Sequence, residues 1–280
     1  MQLVARVVSL AIALPLAAAA QRPMYAFSAT DTLRWREVTS GTVVIEMLGA
    51  PLTLASEHDA IIGVTRAAGD TVLAWYEQLH IAATSPNGRM APATTDALRK
   101  PFVMRWPSEG RVVLVRSPTF PASFEGVSDL THQFDDFFLA LPSLPLTIGR
   151  AWSDTLARAD SGGAGGAWMR ATRITDYRVE RDTVVDGGRR AAVISATQRH
   201  RVRQGGSLPN GAGRVETTLV GGDSGIFVFD ASAGRLLARR RAGELRGTFT
   251  VHPTDGPATP MVQTMRYTNA IDALPAGARP

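Results

Sequence analysis

Ile226-Phe227-Val228-Phe229-Asp230-Ala231-Ser232-Ala233-Gly234-Arg235-Leu236-Leu237-Ala238 decides the fold class: an aromatic strand, a turn of small and polar residues, then a second apolar run. A parallel crossover needs about a dozen residues, so runs joined this closely must pair antiparallel. The same grammar recurs along the chain. Thr42–Leu48, Thr71–Glu77, Arg111–Val115, Thr183–Val185, Ala191–Ser195 and Gly247–Val251 are short and rich in β-branched or aromatic residues. Turn formers separate them at Ala68-Gly69-Asp70, Pro86-Asn87-Gly88, Ser108-Glu109-Gly110 and Asp186-Gly187-Gly188. The expected fold is mainly β, built from antiparallel sheets.

One segment breaks the pattern. Leu130, Phe134, Phe137, Phe138 and Leu141 follow at i, i+4, i+7, i+8 and i+11, the spacing of one apolar helix stripe. Ser128 fits an N-cap, Asp129 the first turn and Pro142 the stop, which predicts one central amphipathic helix over 128–141. Phe134, Phe137, Phe138 and Leu141 then either pack onto a sheet or line an apolar cavity that binds a ligand. Asp135-Asp136 would form the wet face of that helix.

Two stretches flanking this segment share Ser-x-Gly-Arg and an apolar run: 106–114 and 230–238, offset by 124 positions. They raise the alternative of two similar β-rich halves, 30–120 and 150–275, joined by helix 128–141 within a single domain 21–280.

Met1–Ala20 has a positive start at Arg6, an apolar core from Val7 to Leu14 and small residues at Ala18-Ala19-Ala20, the layout of an export signal cleaved near Ala20. Pro15 ends the apolar run well short of the about 20 residues that a membrane anchor needs, and no other stretch approaches a span. The mature protein is therefore expected in the periplasm or outside the cell. The 280-residue chain contains no cysteine, which excludes disulfides, thiolate nucleophiles and a lipoprotein anchor. A chain of this length can hold itself together by its core alone. Basic charge is uneven, with a net −2 over 21–150 and +6 over 151–280.

Gly222-Asp223-Ser224-Gly225 is similar to the nucleophile signature of trypsin-like serine proteases, but Ile226-Phe227-Val228 follows where that family continues with glycine and proline. By composition the run reads as a turn, and a secreted serine hydrolase using Ser224 is kept as an alternative function. Glu57-His58-Asp59 reads as a solvated loop. His58, His80, His132, His200 and His252 are scattered, so no metal site and no cofactor is expected. Ser161–Gly166 lacks the lysine of a phosphate loop and reads as a flexible connection. Arg199, Arg201 and Arg203 alternate on one strand face, and Arg239-Arg240-Arg241 crowd a second strand. Together they are the candidate surface for an anionic envelope component, nucleic acid being excluded as partner by the export signal.

The signal, the antiparallel strands, the central apolar segment, Leu141-Pro142-Ser143-Leu144-Pro145-Leu146 with Gly149 and Trp152, and the final strand resemble exported relatives of the half-barrel carriers of the lipoprotein-localisation type. The resemblance covers most of residues 30–275 and transfers no ligand residue. It implies a curved antiparallel half-barrel sheltering an amphiphile. The expected function is an exported, non-catalytic binding or carrier protein of the bacterial envelope, with an envelope interaction module as the alternative.

Overall fold

A computed structural model describes residues 22–275 apart from 48, 107–109, 121–123, 125–129, 164–165 and 209–210. The expected export signal and its cleavage point lie outside the described residues. Twelve strands follow in chain order: β1 Leu33–Ile45, β2 Leu52–Arg66, β3 Thr71–Ser85, β4 Gly88–Met90, β5 Phe102–Arg105, β6 Val113–Arg116, β7 Ala151–Gly163, β8 Ala167–Val185, β9 Arg189–Ser207, β10 Gly213–Asp230, β11 Arg235–Pro253 and β12 Thr259–Ala273. All belong to one antiparallel sheet, in the order β6-β5-β3-β2-β1-β12-β11-β10-β9-β8-β7, with β4 paired to β3. The chain lays down two meanders of consecutive strands, 33–116 and 151–273. Pairing of β1 with β12, from Trp35 opposite Ala273 to Ile45 opposite Gln263, joins them into that one sheet.

The strands run much longer than their apolar cores. β8, β9 and β11 each reach 19 residues, because charged residues alternate with inward ones instead of ending the strand. Gly222–Gly225 is accordingly not a turn: β10 runs straight through it, with Asp223 opposite Gly243 and Ser224 opposite Ala242. Glu57-His58-Asp59 is not a loop either; it lies inside β2, opposite Ser40, Thr39 and Val38 of β1. Ser161–Gly163 extends β7.

The sheet rolls up around residues 130–141. Arg111, just before β6, donates to the Asp154 carboxylate at 3.0 Å and to the Thr155 carbonyl at 3.0 Å on β7, so the two edges of the sheet face each other. Inside, Trp35, Tyr76, Phe102, Phe134, Phe137, Phe227 and Phe229 form one aromatic core. The Trp35 indole donates to the Leu236 carbonyl at 2.8 Å, and Tyr25 stacks edge-on against Phe138 and Phe229.

No α-helix forms among the described residues, so the expected central helix is corrected; Ser128 and Asp129, its proposed cap and first turn, lie outside them. Residues 131–138 are turns and bends, with isolated bonds from Gln133 N–H to the Leu130 carbonyl at 3.4 Å and from Asp135 N–H to the His132 carbonyl at 3.0 Å. The physical reason is twofold. Phe137, Phe138, Leu139, Ala140 and Leu141 are all buried, and five successive residues of a helix point all the way around its axis, so a one-sided helix would expose some of them. Carbonyls of the segment, including those of Asp136 and Phe137 that a helix would use, are also taken by strand and N-terminal side chains. Arg239 donates to those of Asp136 and Phe137, the Tyr25 hydroxyl to Leu139 at 3.1 Å, and the Trp152 indole to Ala140 at 2.8 Å. The apolar stripe is real, but it serves as a plug rather than a helix.

Candidate functional site

Alternation along each strand sends every second residue inward. At the plug end those residues are apolar, but one turn of the pattern further along they become polar. Glu37 and Thr39 on β1, His58 on β2, Arg173 and Thr175 on β8, Gln198 and His200 on β9, Asp223 on β10, Arg239 and Arg241 on β11 and Tyr267 and Asn269 on β12 form a belt across the concave face. Cross-strand register aligns it: Arg241 lies opposite Asn269, Asn269 opposite Thr39, and Thr39 opposite His58.

Glu37 and Asp136 anchor this belt. Asn269 Nδ2 donates to Glu37 Oε1 at 2.7 Å and to Thr39 Oγ1 at 2.8 Å; Gln133 donates to Glu37, and Arg239 Nη2 approaches it at 3.4 Å. Asp136 receives Arg173, and Arg241 Nη1 at 2.6 Å. It is therefore no wet helix face: the plug carries it to the guanidinium groups of the sheet. Burial opposes its charge, yet Arg173, Arg241 and Arg239 hold its carboxyl far below the usual carboxylate range. Burial and the neighbouring Arg241 bring Arg239 down to about 10.

A second cluster centres on Asp223. His200 Nε2 and Arg241 Nη2 each lie 3.0 Å from its Oδ2, and the Tyr267 hydroxyl donates to the same oxygen. Burial works against this carboxylate too, but His200, Arg241 and Tyr267 keep it below its usual value. Tyr267 is raised, first by burial. Two glycines make the crossing possible. A Cβ at Gly225 would stand 2.5 Å from Arg241 Cγ, and one at Gly243 would stand 2.5 Å from Asp223 Cβ and 3.0 Å from the Tyr267 ring. Larger residues would lift both side chains off the sheet.

Beyond the belt the inside turns apolar again. A cavity of about 560 Å³ is lined by Trp168, Met169, Gly206, Val215, Thr217 and Phe249, with His132, Arg158 and Asp160 at its inner end. A smaller cavity of about 210 Å³ lies over the belt itself, against Glu37, Thr39, Asp136, Arg239, Arg241 and Asn269. His132 lines both, held between Asp135 at 3.2 Å and Asp160 at 3.6 Å. Four guanidinium groups (Arg158, Arg173, Arg239, Arg241) meet five carboxylates (Glu37, Asp135, Asp136, Asp160, Asp223) around these cavities. Among the described residues no three His, Asp or Glu side chains converge as metal ligands.

The sequence-picked residues separate. Phe134, Phe137, Phe138 and Leu141 are buried in the packed core and line neither cavity. Arg239 and Arg241 face inward while Arg240 faces outward to Asp272 at 2.6 Å, so the three arginines do not share a surface. Arg199, Arg201 and Arg203 do share the outer face, where Arg199 pairs with Asp176 at 3.0 Å and Arg203 with Glu216 at 3.3 Å. Ser224 also points outward, whereas His200 and Asp223 lie on the concave side, so the sheet stands between this hydroxyl and that histidine. Glu37, His58, Asp136, Asp223, Tyr267 and Asn269 escaped sequence reading as site residues. Their signal was parity: Asp223 falls on the same strand face as Phe227 and Phe229, where an apolar residue is the rule.

No family model and no curated protein matches the sequence. Among solved structures, two proteins of Pseudomonas aeruginosa are similar only at a trace level. OccK2 (OpdF) gives 9% identity over 89% of this chain and 99% of the other at a TM-score of 0.22. The same protein in complex with glucuronate gives 9% over 89% and 100% at 0.20, and OccK11 (OpdR) gives 8% over 91% and 99% at 0.19. A likeness this slight assigns neither fold nor function. The chain is an antiparallel β protein without cysteine, and none of its described helices is long and apolar enough to cross a membrane.

Proposed function

We propose that this is an exported, non-catalytic binding or carrier protein of the bacterial envelope that holds an amphiphile inside its rolled sheet. One observation carries the reading: an apolar cavity of about 560 Å³ stands directly beside a polar floor, with His132 common to both. That volume lies within the roughly 300–1,000 Å³ range of small-molecule sites. An apolar body would lie against Met169, Val215 and Phe249, and a polar head over Thr39, Arg239, Arg241 and Asn269. Two carboxylates, Glu37 and Asp136, balance two guanidinium groups, Arg239 and Arg241, there, so a neutral or zwitterionic head fits better than an anion. The anionic reading belongs instead to the outer stripe of Arg199, Arg201 and Arg203.

In this reading the plug 130–141 takes the place that helices hold in the half-barrel carriers that the sequence resembles. The outward face argues against a membrane-embedded barrel. It carries Arg36, Asp59, Arg178, Glu180, Arg199, Arg240, Glu244 and Arg266, whereas such a barrel needs an apolar band there. Native mass spectrometry of protein purified from its host tests the proposal. A co-purified lipid-sized species, released on denaturation, is expected; a mass matching the polypeptide alone in repeated preparations would overturn it.

A further inference from the structure

The two edges of the rolled sheet meet without pairing. Ten antiparallel steps lead from β6 to β7 through the eleven strands of the path, so the two edge strands run in the same direction. Every other neighbour in the sheet is antiparallel. One added strand running against both edges would give an all-antiparallel closed barrel, which direct contact of β6 with β7 would not. The spacing agrees. Paired strands stand about 4.8 Å apart, whereas here the whole Arg111 side chain spans from its backbone to the Thr155 carbonyl. Between the edges lies a cavity of about 530 Å³, lined by Val113–Arg116 on one bank and Leu156–Ala159 on the other, with His132 and Asp135 beneath.

Backbone and side chains on these banks suit a strand. The Thr155 carbonyl points into the seam, and main-chain groups alternate along a strand, so those of Ala157 and Ala159 point there too. Outward side chains on the banks are Val113 and Val115, 47% and 57% exposed, with Ala157 and Ala159. This short apolar stripe runs along both banks, whereas Val38, Val220 and Ile226, exposed elsewhere on the outer face, each stand opposite an aspartate or arginine of the neighbouring strand. Exposed apolar edges are where proteins accept a further strand. Arg116 ends the stripe, is exposed and forms no ion pair among the described residues.

We propose that the β6–β7 seam binds an extended peptide strand of a partner protein, antiparallel to both edges, with β-branched residues along the stripe and a carboxylate facing Arg116. The purified chain is titrated with a labelled peptide of alternating valine and threonine ending in glutamate, read by fluorescence anisotropy. Saturable binding is expected. Ala157→Pro removes a seam-facing N–H while leaving the β7–β8 ladder intact, as edge strands tolerate, and should weaken binding about tenfold, the worth of one or two backbone hydrogen bonds. Arg116→Glu should also weaken it, and a peptide ending in lysine should restore it. Because the chain has no native cysteine, Val115→Cys offers a single thiol that should crosslink to a peptide cysteine placed opposite. Absence of binding, or equal binding by Ala157→Pro and Arg116→Glu with unchanged circular dichroism, overturns the proposal. Crosslinking of Val115→Cys to Ala157→Cys of a second copy in preference to the peptide overturns it as well, assigning the seam to self-association.

Discussion

Asp136 shows how much one side chain can organise. It is delivered by an irregular segment, yet Arg173 and Arg241 both donate to it, and the Arg239 guanidinium lies on its carbonyl. Asp136→Asn would leave those cations facing one another with their shared anion gone. Removing one partner of such a pair costs about 3 kcal/mol, and urea unfolding should show a loss of that size; an unchanged midpoint would mean that the arginines find other partners. His58 gives a pH signature. Burial lowers its pKa, with Glu37 at 3.7 Å pulling the other way, so the fold favours the neutral ring. Its contribution to stability is complete above the ordinary histidine value of about 6.5 and is lost as pH falls through the lowered folded value. The melting temperature should drop on acidification from about pH 7.5 to about pH 5.5, and His58→Phe should flatten that part of the slope. A variant with the wild-type slope would place the titration elsewhere.

At the scale of elements, alternation was legible and irregularity was not. The strand around Phe227 and the hairpin at Gly234 could be read because turn chemistry and apolar alternation agree there. The stripe of Leu130, Phe134, Phe137, Phe138 and Leu141 also announced burial correctly. It misled on backbone shape, because a helical period says which residues are buried but not whether the carbonyls between them have other donors. Here Arg239, Tyr25 and Trp152 supply those donors from more than ten residues away in sequence. Gly222–Gly225 misled in the opposite sense, since its glycines serve side chains that cross the strand rather than a reversal of the chain. Gly225→Ala tests this: its Cβ would also stand 2.5 Å from the Arg240 carbonyl, and overpacking of that kind costs about 1–3 kcal/mol. Thermal unfolding should register that loss; a neutral outcome would show that β10 and β11 can separate to make room.

For the whole molecule, apolar core, charged belt and apolar cavity succeed one another along the roll, with Phe249 and Trp168 on the wall of that cavity. Phe249→Arg should abolish retention of a bound amphiphile without unfolding the sheet, measured as loss of the extra mass in native spectra; retention at the wild-type level would move the site away from that cavity. None of this layering was legible in the sequence, because it depends on the register that sets Arg241 beside Asn269 and then Asn269 beside Thr39, a residue 230 positions away in the chain.

β12 joins the two meanders, since it is the strand that lies between β1 and β11. Among the twelve described strands it is synthesised last. Until Thr259–Ala273 has emerged, the first meander has nothing to dock against and the belt lacks Tyr267 and Asn269. The two meanders therefore cannot join, nor the belt gain its full set of side chains, before this twelfth strand has been made.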